Sequence, residues 1–392
     1  MTSPEITLVR LGGGADRPLL VVGPSLGTSV TALWGAAAAE LEDAFHVVGW
    51  ELPGHGRGAP ARFSFTVAEL AGGVLASVRR VLTECGQDSF VVAGDSLGGA
   101  VALQVALDAP EQVTGSLVMC TGARIGRPVE WRERAAQVRA TGTASLVEPS
   151  AERWFAPGFI DRQPARAGAL LHSLRDTDAE SYALACEALA GLDLGGRLAE
   201  MRVPVVAIAG ALDEVTPVRD LQEISDGVPC GACVELPGVG HLAAVESPGA
   251  VADLIRGLAP GTGEASYVRG LRMRVDVLGR EHVGRAASAT SDLTRDFQTF
   301  ITRYAWDGIW NRPKLDRRSR SVGVLTALVC GGHFEELAFH LRAARTNGLT
   351  RDEIVEVLLQ SAVYAGVPAA NRAFAVANEA LADDTATGEV DL

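Results

Sequence analysis

The 392-residue sequence has no apolar run longer than a β-strand, and it therefore predicts no membrane span. Its N-terminus lacks a basic segment followed by an apolar core, so no signal peptide is expected. The six cysteines are scattered and form no disulfide framework, which favours a cytoplasmic location. Cys230 and Cys233 have metal-site spacing, but no second pair or histidine cluster completes it, so no metal site is predicted.

Positive charge is also scarce. The chain has 35 Lys and Arg against 48 Asp and Glu, which gives a formal net charge of -13. An acidic surface argues against nucleic acid and anionic membranes as partners. It does not exclude a small anionic ligand, because a local cluster of arginines can outweigh the average field.

The first 258 residues alternate strand-like apolar runs with helical patterns. Runs that are apolar throughout are typical of parallel strands covered on both faces. We therefore predict an α/β domain, residues 1–258, with a doubly wound sheet. Its strands are predicted at 6–11, 19–23, 46–50, 90–94, 115–120, 203–210 and 232–236. Strand runs are missing from about 125 to 197, where helical segments predict a lid over the strand ends.

Residues 259–266 form a small, polar linker that contains proline and glycine. Beyond it the strand pattern does not return, and residues 267–383 predict an all-α domain. Its helices are predicted at 292–305, 318–330, 335–346 and 369–381, with a further helix capped by Thr350 and Glu353. Residues 384–392 are predicted to be a disordered tail.

The motif GDSLG at residues 94–98 follows an apolar strand and precedes a helix of small residues. This is the pattern of a nucleophile elbow, a sharp strand-to-helix turn that exposes one serine. A chance Gly-x-Ser-x-Gly is the alternative, but the strand before it and the helix after it favour the elbow. Ser96 is therefore predicted to be a catalytic nucleophile.

A serine hydroxyl needs a base and an orienting carboxylate, and in this fold class they follow in the order serine, acid, histidine. Asp213 and His241 each follow a predicted strand in that order, and Glu214 is the alternative acid. The backbone N–H groups of Leu26 and Leu97 are predicted to form the oxyanion hole. Two further polar residues are assigned other roles: Asp95 is predicted to line the site, and His55 to be a structural loop histidine.

The N-terminal domain contains five short motifs: SLGT at 25–28, LPGHG at 52–56, GDSLGG at 94–99, RWF at 153–155 and GH at 240–241. Through these motifs it resembles the 3-oxoadipate enol-lactone hydrolases, a family of α/β-hydrolases. Many relatives have His-Gly in the oxyanion loop where this chain has Pro24-Ser25. The resemblance implies a small anionic lactone substrate, for which the lid would supply binding residues. The candidates are Trp131, Arg132, Arg134 and Trp154.

The helical half contains the aromatic and arginine-rich stretches RYAWDGIWNRP at 303–313 and RRSRS at 317–321. The absence of a basic face argues against nucleic acid, and a pocket for a planar anion fits better because arginine pairs with carboxylates in a bidentate way. Glu336 and His340 are four residues apart and share one helix face. We expect this pairing to orient the imidazole and raise its pKa. A purely structural histidine is the alternative.

These stretches, with NGLT at 347–350 and YAGVPAAN at 364–371, resemble 4-carboxymuconolactone decarboxylases from residue 267 to 381. The two resemblances together imply consecutive steps of protocatechuate catabolism, without a cofactor. Decarboxylation of 4-carboxymuconolactone would give 3-oxoadipate enol-lactone, and hydrolysis of that lactone would give 3-oxoadipate. The resemblance also implies a homo-oligomer.

For the decarboxylation, His340 is the candidate proton donor or electrophile. The candidate substrate-binding residues around it are Tyr304, Arg317, Arg320, Glu336 and Arg342. The alternative for the whole chain is a general esterase or perhydrolase fused to a non-catalytic oligomerisation module, with Tyr304, Trp306 and Trp310 as interface anchors.

Overall fold

The computed structural model describes residues 3–382, and the predicted disordered tail, 384–392, lies outside the described residues. The predicted fold class is confirmed: a seven-stranded sheet with helices and a lid is followed by a helical region. Within residues 3–382, no helix combines the length and apolarity that a membrane span requires.

The sheet has the strand order β1-β3-β2-β4-β5-β6-β7, and only β1 is antiparallel to its neighbour. Four strands (β2, β3, β4 and β6) are buried at every position, as expected of strands covered on both faces. The predicted strands are found with their ends shifted by no more than two residues. Their bounds are β1 Leu8–Gly12, β2 Leu19–Gly23, β3 His46–Trp50, β4 Phe90–Asp95, β5 Val113–Met119, β6 Val205–Gly210 and β7 Gly231–Leu236.

Helices connect the parallel strands, and a separate group of helices forms the lid. Three helices precede the lid: α1 Val30–Leu41, α2 Val67–Cys85 and α3 Leu97–Asp108. Five helices between β5 and β6 make up the lid: α4 Pro128–Thr141, α5 Val147–Trp154, α6 Phe159–Arg162, α7 Pro164–Asp176 and α8 Ala179–Ala190. Three more complete the sheet region: α9 Val218–Gly227, α10 Ala243–Glu246 and α11 Pro248–Arg256. Because α7 also packs on α1, the lid is anchored to the sheet region.

Residues 264–382 fold into seven α-helices and one π-helix at Thr302–Trp310. The α-helices are α12 Glu264–Leu278, α13 Arg280–Ser288, α14 Arg295–Ile301, α15 Arg317–Gly331, α16 Phe334–Thr346, α17 Arg351–Ala365 and α18 Val367–Ala380. The single helix predicted at 292–305 is wrong in detail, because α14 is short and runs into the π-helix. Pro368 lies in the first turn of α18, where its missing N–H is not needed.

The two halves share a packed interface. Helices α12 and α13 both contact β7, and Tyr267, Leu271 and Val283 belong to the same apolar core as the sheet. The contact is close, since a Cβ on Gly284 would lie 1.7 Å from the carbonyl oxygen of Glu235. Helix α12 begins at Glu264, inside the predicted linker of 259–266. The helical half therefore covers the β7 edge of the sheet, and α15–α18 enclose a second core of their own.

Candidate active site

Ser96 lies at a strained turn between β4 and α3. Its φ of 55° and ψ of -119° are unusual for a residue with a side chain. Only small neighbours allow this turn, because a Cβ on Gly94 would lie 2.1 Å from the carbonyl oxygen of Gly98. The Thr121 hydroxyl donates to the Ser96 carbonyl at 2.7 Å and helps to hold the turn. The local sequence thus forms the predicted elbow.

Ser96, His241 and Asp213 form one hydrogen-bonded chain of buried side chains. The Nε2 of His241 is 3.0 Å from Ser96 Oγ, and its Nδ1 is 2.9 Å from Asp213 Oδ2. Burial alone would raise the pKa of Asp213, but the His241 charge and hydrogen bonds from His241 and Thr216 hold that pKa below its usual value. Glu214, the alternative acid, is exposed. The structure therefore brings Asp213, and not Glu214, to His241.

The two predicted oxyanion donors lie on adjoining segments. Leu97 is the first residue of α3, and Leu26 lies in the loop after β2. Gly98 N–H donates to the Pro24 carbonyl at 3.0 Å, which joins the loop to the helix. Within residues 3–382, neither the Leu26 nor the Leu97 N–H pairs with an acceptor. Both groups are free to bind an oxyanion, and this role stays a prediction.

Two acids, Asp95 and Glu246, and the thiol of Cys120 surround the His241 loop. Burial, reinforced by Asp213 and Glu246, raises the pKa of Asp95 well above its usual value. Glu246, whose pKa burial raises to about 7, accepts hydrogen bonds from the N–H groups of Ala156 at 3.0 Å and Gly240 at 3.1 Å. The Cys120 thiol lies within 4.8 Å of ligand atoms of Asp213 and His241, but Asp213 and His241 already bond to each other, and His241 bonds to Ser96. Neither Glu246 nor Cys120 carries a sequence signal that predicts this position.

His55 is fully buried and lies under the lid. Its ring stacks on Tyr182 with 6.1 Å between the centroids, and its Nδ1 is 2.9 Å from the Pro53 carbonyl. Burial lowers the pKa of His55 to about 4, so the ring is neutral at neutral pH. These contacts agree with a structural role.

The lid presents a pair of arginines to a cavity of about 380 Å³. Its lining includes Trp131, Arg134, Arg153 and Glu214, and the Arg134 guanidinium lies 5.3 Å from the centroid of the Trp131 ring. Burial and the neighbouring Arg134 lower the pKa of Arg153, whose buried Nε has no hydrogen-bond partner within residues 3–382.

Arg153 also borders a second cavity, of about 670 Å³, that includes Asp213. Arg153 is not among the lid candidates predicted from the sequence, where it appears as part of the RWF motif at 153–155. The other lid candidates differ from it, since Arg132 is exposed and Trp154 is buried. The Trp154 carbonyl accepts a hydrogen bond from the His241 N–H at 2.9 Å.

His340 of the helical half is partly buried and faces His282. The two rings flank Phe339, with centroid distances of 4.5 Å to His340 and 4.9 Å to His282. Burial and the neighbouring His282 lower the pKa of His340 to about 4, and Glu336 opposes this only in part. The expected rise in the pKa of His340 is therefore wrong, because desolvation outweighs the exposed carboxylate.

Three other candidates of the helical half, Arg317, Arg320 and Tyr304, contact other groups. Arg317 pairs with Asp276 at 2.7 Å, and Arg320 donates to the Arg312 carbonyl at 2.9 Å. Tyr304 is exposed and stacks on Phe300. Glu336 and Arg342 are exposed side chains on α16 and act on the charge of His340 and His282 respectively. Arg317 and Arg320 thus have partners of their own within the chain.

We expect Asp213→Asn to lower kcat for hydrolysis of a p-nitrophenyl ester by about 10⁴-fold. The uncharged asparagine amide does not stabilise protonated His241 and does not hold its ring in the correct tautomer. Glu214→Gln is the matched control and should keep nearly full activity, since Glu214 is exposed. Release of p-nitrophenol measures both variants. The opposite ranking of the two variants would make Glu214 the acid.

Two family models match the chain in separate places. The alpha/beta hydrolase family matches residues 15–254, and the carboxymuconolactone decarboxylase family matches residues 295–379. The solved structure of the enol-lactonase from Burkholderia xenovorans superposes with a TM-score of 0.60 at 26% identity, covering 64% of this chain and 95% of that chain.

Two relatives from Acinetobacter baylyi divide the chain between them. The first half is 34% identical to 3-oxoadipate enol-lactonase 2, over 60% of this chain and 86% of the relative. The second half is 43% identical to 4-carboxymuconolactone decarboxylase, over 31% of this chain and 90% of the relative. The chain therefore belongs to the alpha/beta hydrolase family through its first half and to the carboxymuconolactone decarboxylase family through its second half.

Proposed function

We propose that this chain catalyses two consecutive reactions: decarboxylation of 4-carboxymuconolactone to 3-oxoadipate enol-lactone, and hydrolysis of that lactone to 3-oxoadipate. One observation carries the proposal. A hydrogen-bonded Ser96–His241–Asp213 site under an arginine-bearing lid lies in the same chain as a half that is 43% identical to a 4-carboxymuconolactone decarboxylase. The product of the second half is then the substrate of the first.

In the hydrolysis, Ser96 Oγ attacks the lactone carbonyl while His241 Nε2 accepts its proton. The N–H groups of Leu26 and Leu97 stabilise the negative carbonyl oxygen. The ring oxygen leaves as an enol, takes the proton from His241 and tautomerises to the ketone. A water activated by His241 then releases the acid from Ser96. Asp213 holds the imidazole in the required orientation throughout.

The lid supplies the binding site for the carboxylate of the lactone. Arg134 and Arg153 lie side by side at one cavity, and two adjacent cations are stabilised when an anion binds between them. The unpartnered Nε of Arg153 remains to donate to such an anion. Trp131 and Ile125 provide apolar surface beside this anion site.

In the decarboxylation, the departing carboxylate is on a ring carbon conjugated through a double bond to the lactone carbonyl. The electrons that remain after loss of CO2 move into that carbonyl, so the substrate supplies its own electron sink and no cofactor is needed. A proton then adds to the carbon next to the carbonyl. A neutral His340 suits the role of an N–H donor to the developing negative oxygen, as its low pKa favours.

We also propose that the helical half joins copies of this chain into an oligomer. Most of the large exposed apolar side chains within residues 3–382 belong to this half. Val355, Leu359 and Val363 lie four residues apart on one face of α17, and Tyr364 and Val367 extend the same surface. Val363 is 75% and Tyr364 77% exposed. Monomeric proteins rarely expose an apolar patch of this kind to water. A second copy of the chain covers this surface in the proposed assembly.

Ser96→Ala and His340→Ala should divide the two reactions when each protein is mixed with 4-carboxymuconolactone and no cofactor, with products followed by NMR. The Ser96 variant should release CO2 and accumulate enol-lactone, because it lacks the nucleophile. The His340 variant should leave the first substrate intact and still hydrolyse enol-lactone. If the wild-type protein hydrolyses simple aryl esters better than enol-lactone and releases no CO2, the chain is instead a general esterase with a non-catalytic helical half.

Arg153→Met should raise KM for enol-lactone by about 10- to 100-fold, because a charge-assisted hydrogen bond to the carboxylate is lost. Hydrolysis of an uncharged p-nitrophenyl ester should change little. Arg166→Met, an exposed arginine on lid helix α7, is the matched control and should leave both activities unchanged. An equal loss on charged and uncharged substrates would argue against carboxylate binding by Arg153.

Val363→Glu should reduce the particle to a smaller species in static light scattering, because a charge in an apolar interface is costly. Phe63→Glu, which changes an exposed apolar residue of the hydrolase half, should keep the wild-type mass. If the wild-type protein is monomeric in solution, the proposed interface is wrong.

A further inference from the structure

Within the described part of the helical half, a buried arginine has no carboxylate partner. Arg274, on α12, is only 9% exposed. Its Nη1 donates to the Gln298 side-chain oxygen at 2.9 Å, while its buried Nε has no partner within residues 3–382. Burying a guanidinium charge without a counter-ion is unfavourable unless something else supplies that counter-ion.

Most of the arginines near Arg274 form ion pairs with carboxylates. Four of them have an aspartate partner: Arg269 pairs with Asp307, Arg272 with Asp226, Arg295 with Asp253 and Arg317 with Asp276. A fifth, Arg303, donates instead to the Gly257 carbonyl and the Thr262 hydroxyl. The formal net charge of -13 also makes acidic partners abundant. Arg274 is more buried than the four ion-paired arginines, yet it has no carboxylate partner within residues 3–382. A shortage of acids does not explain this.

The surroundings of Arg274 suit an anionic ligand. Its charge acts on His282, which in turn neighbours His340 across Phe339. Arg274 also borders a space of about 30 Å³ that is lined by Gln298, Thr302 and the ion-paired Asp253 and Arg295, but by neither His282 nor His340. A single water needs roughly 10–15 Å³ of such space, so a carboxylate group can enter it while the lactone ring stays outside. With Nη1 held by Gln298, Nε and Nη2 remain as the two-pronged donor that a carboxylate accepts.

We propose that Arg274 binds a carboxylate of the lactone on which the helical half acts, with His282 and His340 beside the reacting ring. The inference rests on the proposed decarboxylation. It replaces Arg317, whose charge is already paired with Asp276, and Arg320, whose Nε and Nη2 both donate to backbone carbonyls, as the carboxylate-binding residues. The missing counter-ion of Arg274 is then the substrate itself.

The test compares Arg274→Met, Arg274→Lys and the wild-type chain in decarboxylation of 4-carboxymuconolactone. The Met variant should lose about 100-fold in kcat/KM, and the Lys variant should recover part of this loss because it keeps the charge without the fork. Arg269→Met, on the same helix but paired with Asp307, is the matched control and should keep its activity. Unchanged decarboxylation by Arg274→Met would overturn the inference.

Two readouts separate binding from a structural role. Loss of an unpaired buried charge should leave the melting temperature of Arg274→Met unchanged or higher, and hydrolysis of supplied enol-lactone should be retained. A lower melting temperature together with loss of both activities would show that Arg274 is structural, which overturns the inference.

A binding measurement distinguishes this inference from the proposed function. Calorimetry with the inert lactone acid 5-oxotetrahydrofuran-2-carboxylate counts the sites per chain. Loss of one site in Arg274→Met, but not in Arg269→Met, supports the anion site even if the wild-type protein releases no CO2. An unchanged number of sites in Arg274→Met overturns it.

Discussion

The strained backbone of Ser96 is the constraint on which the hydrolase site depends. It holds only because β4, α3 and the loop after β2 approach one another at glycines, where side chains would collide. The same approach places Leu97 at the start of α3 and joins Gly98 to the Pro24 carbonyl. One local distortion thus positions the nucleophile and both predicted oxyanion donors.

The lid and the histidine loop behave as one unit around this turn. The Trp154 carbonyl accepts from the His241 N–H, and Glu246 accepts from both Ala156 and Gly240. Since the lid contributes Arg153 one residue before Trp154, the residues proposed to recognise the substrate are fixed relative to the base that acts on it. Substrate recognition and proton transfer therefore share a common set of buried hydrogen bonds.

The helical half is integrated with the hydrolase half through its first two helices. Because α12 and α13 cover the β7 edge, the helix that carries Arg274 is also part of the interface between the halves. Cutting the chain near residue 260 would expose the apolar side chains of Tyr267, Leu271 and Val283. The two proposed reactions are best studied in the intact chain.

The local sequence pattern determined the secondary structure and the turn that carries Ser96. Apolar runs predict the strands to within two residues, the small residues around Ser96 predict the elbow, and Thr350 with Glu353 caps α17 as expected. Only the tertiary structure decided which side chains lose water and which find partners. Among residues 3–382, it leaves the Nε atoms of Arg153 and Arg274 without hydrogen-bond partners, pairs Arg317 with Asp276 and lowers the pKa of His340. Burial and ion pairing depend on segments distant in the chain, and no local spacing encodes them.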